Sequence, residues 1–443
     1  MKKTLMLMAL VASVNAYGGS IDYLAQQDAE YFAHPSMIGK IGTSGAFYNP
    51  AGTVFMEDGT YFKVNAQTIF KDYTMNTDKS ILSKGQNGVH NSDFASPMVP
   101  SFQFVKKDGD RSYFAHAGIA AGGGTVKYDN GISAFEFIGE EIEKKIKFPV
   151  DYLGGTTIEG SSFYYNINFG MAQKLNEKFS VAGGIRLIYA TRALEGTGNF
   201  KINSKQTLGI DIPVNITLDA EREAYGVGGV IGFNYKPTDR LNIGFKYETE
   251  VELDFDAKNG KNGLKTSTSS SLGSNQLIGG IIGGIDNSLR QEAVIKEWLV
   301  DGNRNLPAMM ALGISYDMTD KLTLLASGNY YFIEQANEDH AYDNYTNGYE
   351  ASIGFDYKLN EKYTLMAGYQ YTNTGSNEGT YKDTDYALDA HMYCVGMSYS
   401  PNETRKYTLS YGFVDYQDGT SSATGTTFEK TVHTIGMSAE FKL

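Results

Sequence analysis

Residues 349–371, YEASIGFDYKLNEKYTLMAGYQY, decide the fold of this chain. Apolar or aromatic side chains occupy every second position on both sides of a short polar break at Asn360 and Glu361. A period of two indicates extended strands, each with one apolar and one polar face. Soluble β-sandwiches also alternate, but their strands are usually shorter. Strands of this length, about 9 to 11 residues or more, predict a membrane-spanning β-barrel.

The same alternation recurs along the chain and predicts fourteen strands, an even number as expected for a single-chain barrel. They lie near residues 59–73, 97–106, 111–123, 161–173, 178–190, 219–236, 240–254, 307–317, 320–333, 347–359, 361–373, 386–400, 404–417 and 431–443. Short turns alternate with long connections, notably 124–160, 191–218 and 255–306. We therefore expect an all-β fold, a transmembrane antiparallel β-barrel over residues 59–443 with its long loops outside the cell.

The amino terminus predicts export. Lys2 and Lys3 precede an apolar run at residues 5–14, and Val14-Asn15-Ala16 provides small residues before a cleavage site. This pattern is typical of a signal peptide over residues 1–16. Together with the barrel, it predicts the outer membrane of a Gram-negative-type (diderm) bacterium. The amphipathic last strand is similar to the signal read by the barrel assembly machinery, although it ends on Leu443 rather than Phe.

Charge and composition exclude several classes of function. The net charge is -13 and the pI about 5.0, which argues against nucleic acid as a partner. Cys394 is the only cysteine, and it lies three residues from His391 in one expected strand, so the two side chains point to opposite faces. No spacing favours a catalytic triad, and we expect no enzymatic activity, no cofactor and no metal.

Residues 17–58 interrupt the alternation before the first strand, and Pro50 favours a fixed bend at Asn49. Three passages, at residues 45–52 (GAFYNPAG), 235–250 (YKPTDRL followed by Tyr247 and Glu250) and 306–308 (LPA), carry a family resemblance. With the fourteen strands, the chain resembles the FadL family of outer-membrane transporters for long-chain fatty acids and other hydrophobic compounds.

This resemblance implies a monomeric barrel closed by an amino-terminal hatch over residues 17–58. It implies that a hydrophobic ligand such as a fatty acid is captured by the outer loops and passes to a pocket in the lumen. The ligand then leaves sideways into outer-membrane lipid, beside a kinked third strand, as the hatch shifts. The hatch motif is Phe47, Tyr48, Asn49, Pro50 and Ala51.

Three further sets of residues are candidates for this route. The third strand contains four glycines that favour a bend or bulge, the alternative being a merely flexible strand end: Gly118, Gly122, Gly123 and Gly124. Seven apolar side chains in the longest loop are candidates for ligand capture: Leu277, Ile278, Ile281, Ile282, Ile285, Leu289 and Trp298. The alternative is that they pack against a neighbouring loop or the hatch. Arg186 and Arg222 are candidates for contact with a fatty acid carboxylate, the alternative being a polar network lining the barrel.

Two other functions share the barrel and the export signal. A general diffusion porin normally narrows its lumen with an inward-folded loop and lacks a plug, so residues 17–58 discriminate against it. A barrel adhesin that presents long loops is compatible with the same sequence.

Overall fold

The structure, a computed structural model, describes residues 28–78, 88–258, 263–291, 293–336, 343–383 and 386–443. The expected signal peptide and residues 17–27 of the expected hatch lie outside these ranges. Fourteen long strands form the wall: β1 Gly59–Thr77, β2 Val89–Asp108, β3 Arg111–Tyr128, β4 Thr157–Lys174, β5 Phe179–Ile202, β6 Ile212–Thr238, β7 Leu241–Glu248, β8 Met309–Asp317, β9 Leu322–Tyr331, β10 Gly348–Lys358, β11 Tyr363–Asn373, β12 Ala390–Asn402, β13 Arg405–Tyr416 and β14 Thr426–Lys442.

These strands close into one antiparallel barrel. Each pairs with its neighbours in chain order, and β1 pairs with β14 from Tyr61↔Lys442 to Thr77↔Thr426. The predicted fold class, a fourteen-stranded antiparallel barrel with an amino-terminal plug, is confirmed.

The alternation sorts side chains between lipid and lumen. On β10, Ile353 is 62% exposed on the outer face, whereas Glu350 is 2% exposed inside. The lipid-facing side of the wall is therefore apolar, the reverse of the surface of a soluble protein, because lipid is the solvent of the outer face, and polar side chains such as Glu350 lie on the inner face.

The expected bounds of one loop were wrong. β5 and β6 pair continuously as far as Ile202↔Ile212, so residues 203–211, and not 191–218, form the connection. The strands run on beyond the apolar belt because hydrogen-bonded pairing does not require a lipid-facing apolar side. The expected strand at residues 240–254 is shorter, ending at Glu248.

The two longest loops are folded. Three helices lie in them, α1 Ala134–Ile146, α2 Gln276–Gln291 and α3 Ala293–Leu299. The shorter elements are the one-turn helices Lys205–Leu208 and Ser270–Gly273, the 3-10 helices Thr43–Ala46, Pro50–Phe55 and Glu334–Ala336, and the strands Val150–Tyr152, Asp254–Ala257, Gly263–Ser267, Gly302–Asn303 and Gly419–Thr420. Across the described ranges, none of the helices has the length and apolar character needed to cross a membrane.

Residues 28–58, here called the plug, lie inside the barrel at its periplasmic end. Most of their side chains are buried, and both of their 3-10 helices contact the inner faces of barrel strands. The chain reaches this position because it enters β1 at Gly59, at the end of the barrel that carries the short turns.

Candidate functional site

The expected hatch motif forms the turn that seats the plug. Asn49 caps the 3-10 helix Pro50–Phe55, accepting a hydrogen bond from the Gly52 amide at 3.1 Å, and Pro50 occupies the first position, where its missing N–H costs nothing. The Asn49 side chain also donates to Asn234 Oδ1 on β6 at 2.8 Å. Sequence reasoning correctly placed a fixed bend here, and the bend joins the plug to the wall.

Two side chains of the barrel wall, Lys246 and His116, contact the same turn of the plug through Phe47. Lys246 on β7 donates to the Phe47 carbonyl at 3.0 Å, and its ammonium lies 4.2 Å from the centre of the Phe47 ring. That ring also packs on His116 of β3, with ring centres 4.6 Å apart. His116 is next to the last residue at which β3 pairs with β2. The plug therefore contacts the wall at the point where the β2–β3 pairing ends.

A buried ionic cluster fixes the beginning of the plug. Lys63 on β1 is fully buried and lies 2.8 Å from Asp28 and 2.9 Å from Glu30. Lys406 and Lys40 also contact Glu30, and Lys40 reaches Asp356 at 2.8 Å. Removing one partner from such a cluster costs about 3–5 kcal/mol, because it leaves a buried charge uncompensated. The plug is therefore tightly held in this state.

The inner wall above and around the plug has two levels. The lower level, toward the periplasmic turns, is polar: Lys63, Asn65, Gln103, His116, Asn168, Arg186, Lys246, Ser352, Gln370, Ser410 and Ser438. The upper level, here called the upper lumen, is apolar and aromatic: Tyr73, Met75, Ala120, Ala121, Ile188, Leu194, Tyr331, Met392, Val414 and Phe428. The polar level complements the plug, and the apolar level provides an environment suited to a hydrophobic molecule.

The wall is interrupted between β2 and β3. Their last pair is Phe102↔Ala117, and within the described ranges no β2–β3 pair lies above it, although β2 stays paired with β1. Higher up, the Lys127 amide donates to Ser92 Oγ at 3.3 Å, which closes the interruption at its outer end. We call this window the lateral gap. Ala120 and Ala121 on its margin belong to the upper lumen, so the gap borders that cluster of apolar side chains.

The four predicted glycines lie on this margin. Gly122 and Gly124 have φ values of 101° and 70°, which side chains rarely adopt, and the β3–β4 register shifts around them. A Cβ at Gly122 would lie 2.3 Å from the Ser162 carbonyl oxygen. Gly118 and Gly123 share the same stretch of β3. The glycines therefore allow β3 to bend away from β2.

The two predicted arginines have different surroundings. Arg186 forms an ion pair with Glu248 at 3.0 Å and donates to Asn166 at 3.2 Å, so it belongs to the polar network of the lower level. Arg222 lies higher, where its guanidinium donates to the carbonyls of Phe255 and Gly302. The Arg186 environment matches the network that was the alternative interpretation.

Arg222 has a partner that sequence reasoning missed. Arg192 on β5 is its register neighbour, and both inward-facing side chains are at most 2% exposed. The Arg192 guanidinium lies 4.8 Å from the Trp298 ring centre, and its closest carboxylate in the described ranges, Glu297, is 3.7 Å away. Nε and Nη2 of Arg192 and Nε of Arg222 have no hydrogen-bond partner among the described residues. Buried donors of this kind favour an anion.

The expected capture residues divide between two places. α2 runs without interruption through both of its glycine pairs, and Ile281, Ile285 and Leu289 line a cleft of about 290 Å³ against α1. Ile278 is buried beside it, Ile282 is half-buried, and Leu277 is 60% exposed. Trp298, in contrast, is fully buried in the upper lumen beneath Arg192, because α3 folds inward.

The carboxyl group of Asp383, in the outer loops, is expected to change its protonation state near neutral pH. Asp383 is buried where it accepts a hydrogen bond from the Ala134 amide at the start of α1, at 3.0 Å. Burial raises the pKa of Asp383 to about 7, although the bonds from Ala134 and Thr426 partly offset this. The folded loop thus binds a proton more tightly than the opened loop, and its stability falls as pH rises from about 4 toward 7.

We expect the start of α1 to open more often at higher pH. Between pH 5 and 7, the opening equilibrium grows by up to about tenfold per pH unit, because one proton is released on opening. Hydrogen exchange of the α1 amides, corrected for intrinsic rates, measures this change. Asp383→Asn removes it, and equal protection of the native protein at both pH values would contradict the assignment.

Comparison with known proteins agrees with this architecture. The family model described as outer membrane protein transport protein (OMPP1/FadL/TodX) matches residues 28–440. Outer membrane protein P1 of Haemophilus influenzae is 22% identical over 282 residues, which cover 56% of this chain and 55% of that protein. The chain thus spans about half the length of the curated relatives that it matches.

Solved structures extend the likeness in fold to the whole barrel. A Pseudomonas aeruginosa FadL homologue has a TM-score of 0.69 and 15% identity, covering 96% of this chain and 99% of its own. The toluene transporters TodX of Pseudomonas putida and TbuX of Ralstonia pickettii have TM-scores of 0.60 and 0.56, each with 14% identity and covering 97% of this chain and 99% of their own. The chain belongs to the OMPP1/FadL/TodX family of outer-membrane transport proteins and is not an enzyme.

Proposed function

We propose that this protein takes up long-chain fatty acids across the outer membrane. The ligand enters the α1–α2 cleft, moves into the upper lumen and leaves through the lateral gap into the membrane as the plug shifts. One observation carries this proposal: the apolar upper lumen borders an interruption in the barrel wall, through Ala120 and Ala121. A hydrophobic molecule can leave such a space sideways without crossing the polar lower level.

The charge of the upper lumen favours a fatty acid over an uncharged hydrocarbon. Arg192 and Arg222 place two adjacent cations among apolar side chains, with one carboxylate, Glu297, 3.7 Å from Arg192, and with three guanidinium nitrogens that have no hydrogen-bond partner among the described residues. Such a pair is expensive to maintain without an anion, since like charges repel and burial opposes charge. A ligand with one carboxylate and a long chain complements both the arginines and the apolar wall. The solved relatives TodX and TbuX are described as toluene transporters, and an aromatic hydrocarbon could contact the arginines only through its ring face, which leaves their hydrogen-bond donors without an acceptor.

The plug supports this proposal against a diffusion porin. A porin needs a continuous aqueous channel, whereas residues 28–58 occupy the polar level and hydrogen bond to its wall. The described part of the plug thus occupies space that an aqueous channel would need.

Filling the α1–α2 cleft tests the first step of uptake. Gly280 lines the cleft and an added Cβ there meets nothing within 4 Å, so Gly280→Leu occupies the space without a clash at its Cβ. We expect the oleate concentration for half-maximal uptake to rise at least about fivefold, from the loss of roughly one or two methylene contacts. Radiolabelled oleate uptake, in diderm cells that lack their own fatty acid transporter, is the measurement.

Gly283→Leu is the matched control. Gly283 lies on the same helix, exposed and outside the cleft lining, and it also has open space at its Cβ. Both substitutions raise helix propensity equally. Equal uptake by the two variants would remove the cleft from the route, and absence of oleate uptake by the native protein would contradict the proposed function.

A further inference from the structure

A second apolar cavity lies on the outer, lipid-facing surface of the barrel. It has a volume of about 620 Å³ and crosses strands β2 to β5, where Phe104, Phe169 and Ile185 form its sides. Gly183 lies in its floor, and an added Cβ at this position would meet nothing within 4 Å. Outward positions of the neighbouring wall carry large apolar side chains, so this surface has a groove where a glycine and Ala115 replace them.

The groove begins at the lower margin of the lateral gap. The last β2–β3 pair, Phe102↔Ala117, bounds the gap, and the next outward-facing pair below it is Phe104↔Ala115. From Ala115, register partners lead to Phe169 on β4 and then to Ile185 on β5. Three strand spacings of about 4.8 Å make a path roughly 14 Å long, whose β2–β3 end lies one outward-facing pair below the gap.

The depth of the groove places it in the periplasmic half of the membrane. Ala115 and Gly183 each lie four residues from the periplasmic start of their strands, Arg111 and Phe179. At about 3.4 Å per residue and a tilt near 40°, this corresponds to roughly 10 Å above the short turns. A chain that left the gap and entered the groove would therefore lie in the periplasmic leaflet of the membrane.

We propose that this exit groove binds the hydrocarbon chain of the transported compound as it leaves the lateral gap, and guides it into the periplasmic leaflet. The inference rests on the proposed function and adds a binding site on the outside of the barrel. Among the described residues, those that line the groove carry no charge, so it recognises the chain and not the head group. Its volume falls within the range of about 300–1,000 Å³ typical of small-molecule sites.

Gly183→Leu tests this site because it fills the floor without disturbing the lumen. We expect the rate of oleate uptake by cells to fall about tenfold, as for the loss of about two methylene contacts, while oleate binding by the purified protein in detergent stays unchanged. Ala351→Leu is the control: it adds a similar apolar group to an outward-facing position on β10, away from the gap. Heat-modified gel mobility reports whether each variant folds.

Photocrosslinking supplies a second readout, which detects the ligand in the groove directly. A palmitate with a terminal diazirine should label Phe169 or Ile185 in the native protein, and Gly183→Leu should abolish this labelling. Labelling by a diazirine phospholipid but not by the palmitate would assign the groove to membrane lipid and overturn the proposal. Unchanged uptake by Gly183→Leu, with normal uptake by the native protein, would also overturn it and leave the proposed function intact. If the native protein neither binds oleate nor takes it up, the proposed function itself is contradicted.

Discussion

Lys63→Met is expected to release the plug and to raise the ion conductance of the protein in planar lipid bilayers. In the native state Lys63 is fully buried between Asp28 and Glu30 of the plug, and it also donates to Ser44 at 2.9 Å. Methionine fills a similar volume but leaves those carboxylates without their central cation. The expected cost is about 3–5 kcal/mol of plug stability, which increases the dislodged population about a hundredfold or more.

The polar lower level explains why a dislodged plug leads to conduction. Once the plug leaves, the wall that it covered presents amide side chains such as Asn65, Gln103 and Gln370 to the lumen. Water and ions enter such a space readily, as they do in porins. Deletion of residues 17–58 sets the upper limit of the effect, because it removes the plug altogether.

Lys174→Met is the control for the loss of a lysine charge. Lys174 pairs with Glu177 at 2.7 Å, in the turn after β4, and the Glu177 side chain is 90% exposed. Exposed pairs contribute about 0–1 kcal/mol, so this variant should conduct as poorly as the native protein. Native-like conductance of Lys63→Met would show that the ionic cluster does not hold the plug, and a large resting conductance of the native protein would show that the plug does not close the barrel.

The fold was predictable because the membrane imposes a strict rule on each strand. Outward residues such as Ile353 and Phe355 meet lipid and must be apolar, so alternation in the sequence follows directly. Above the lipid this constraint ends. The upper parts of β5 and β6 are paired like the lower parts, but their outer faces carry polar residues such as Thr197 and Asn215. The alternating hydrophobic pattern therefore ends before the strands end.

Parts of the candidate site were predictable where the residue type itself restricts or frees the backbone, as proline and glycine do. Pro50 and the β3 glycines identified the plug turn and the bent margin of the gap from sequence alone. Arg192 could not be found in this way. Its importance depends on its register pairing with Arg222, and residues 191–218, which contain Arg192, were expected to form a loop. Trp298 was grouped with the α2 residues by proximity in the chain, but the inward turn of α3 depends on contacts between distant segments.

Arg192→Gln is expected to weaken oleate binding by about 10- to 100-fold. The Arg192 and Arg222 guanidiniums are adjacent across β5 and β6, and hydrogen bonds to a charged group contribute about 1.5–3 kcal/mol. Titration of oleate into purified protein in detergent gives the affinity. Oleyl alcohol, which has the same chain without the carboxylate, should bind Arg192→Gln and the native protein almost equally.

The comparison of the two ligands separates charge recognition from structural damage. Lys201→Gln removes a half-exposed cation from the same strand, where it pairs with Asp151 at 3.2 Å, and should change neither affinity. In Arg192→Gln/Arg222→Gln, the preference for oleate over oleyl alcohol should disappear, since both donors and both positive charges are gone. Equal losses for the two ligands would mean that the arginines only support the packing of Trp298 and Phe255. Because oleyl alcohol carries no charge that complements a buried cation pair, retained selectivity for oleate in the double variant would also place the carboxylate elsewhere in the barrel.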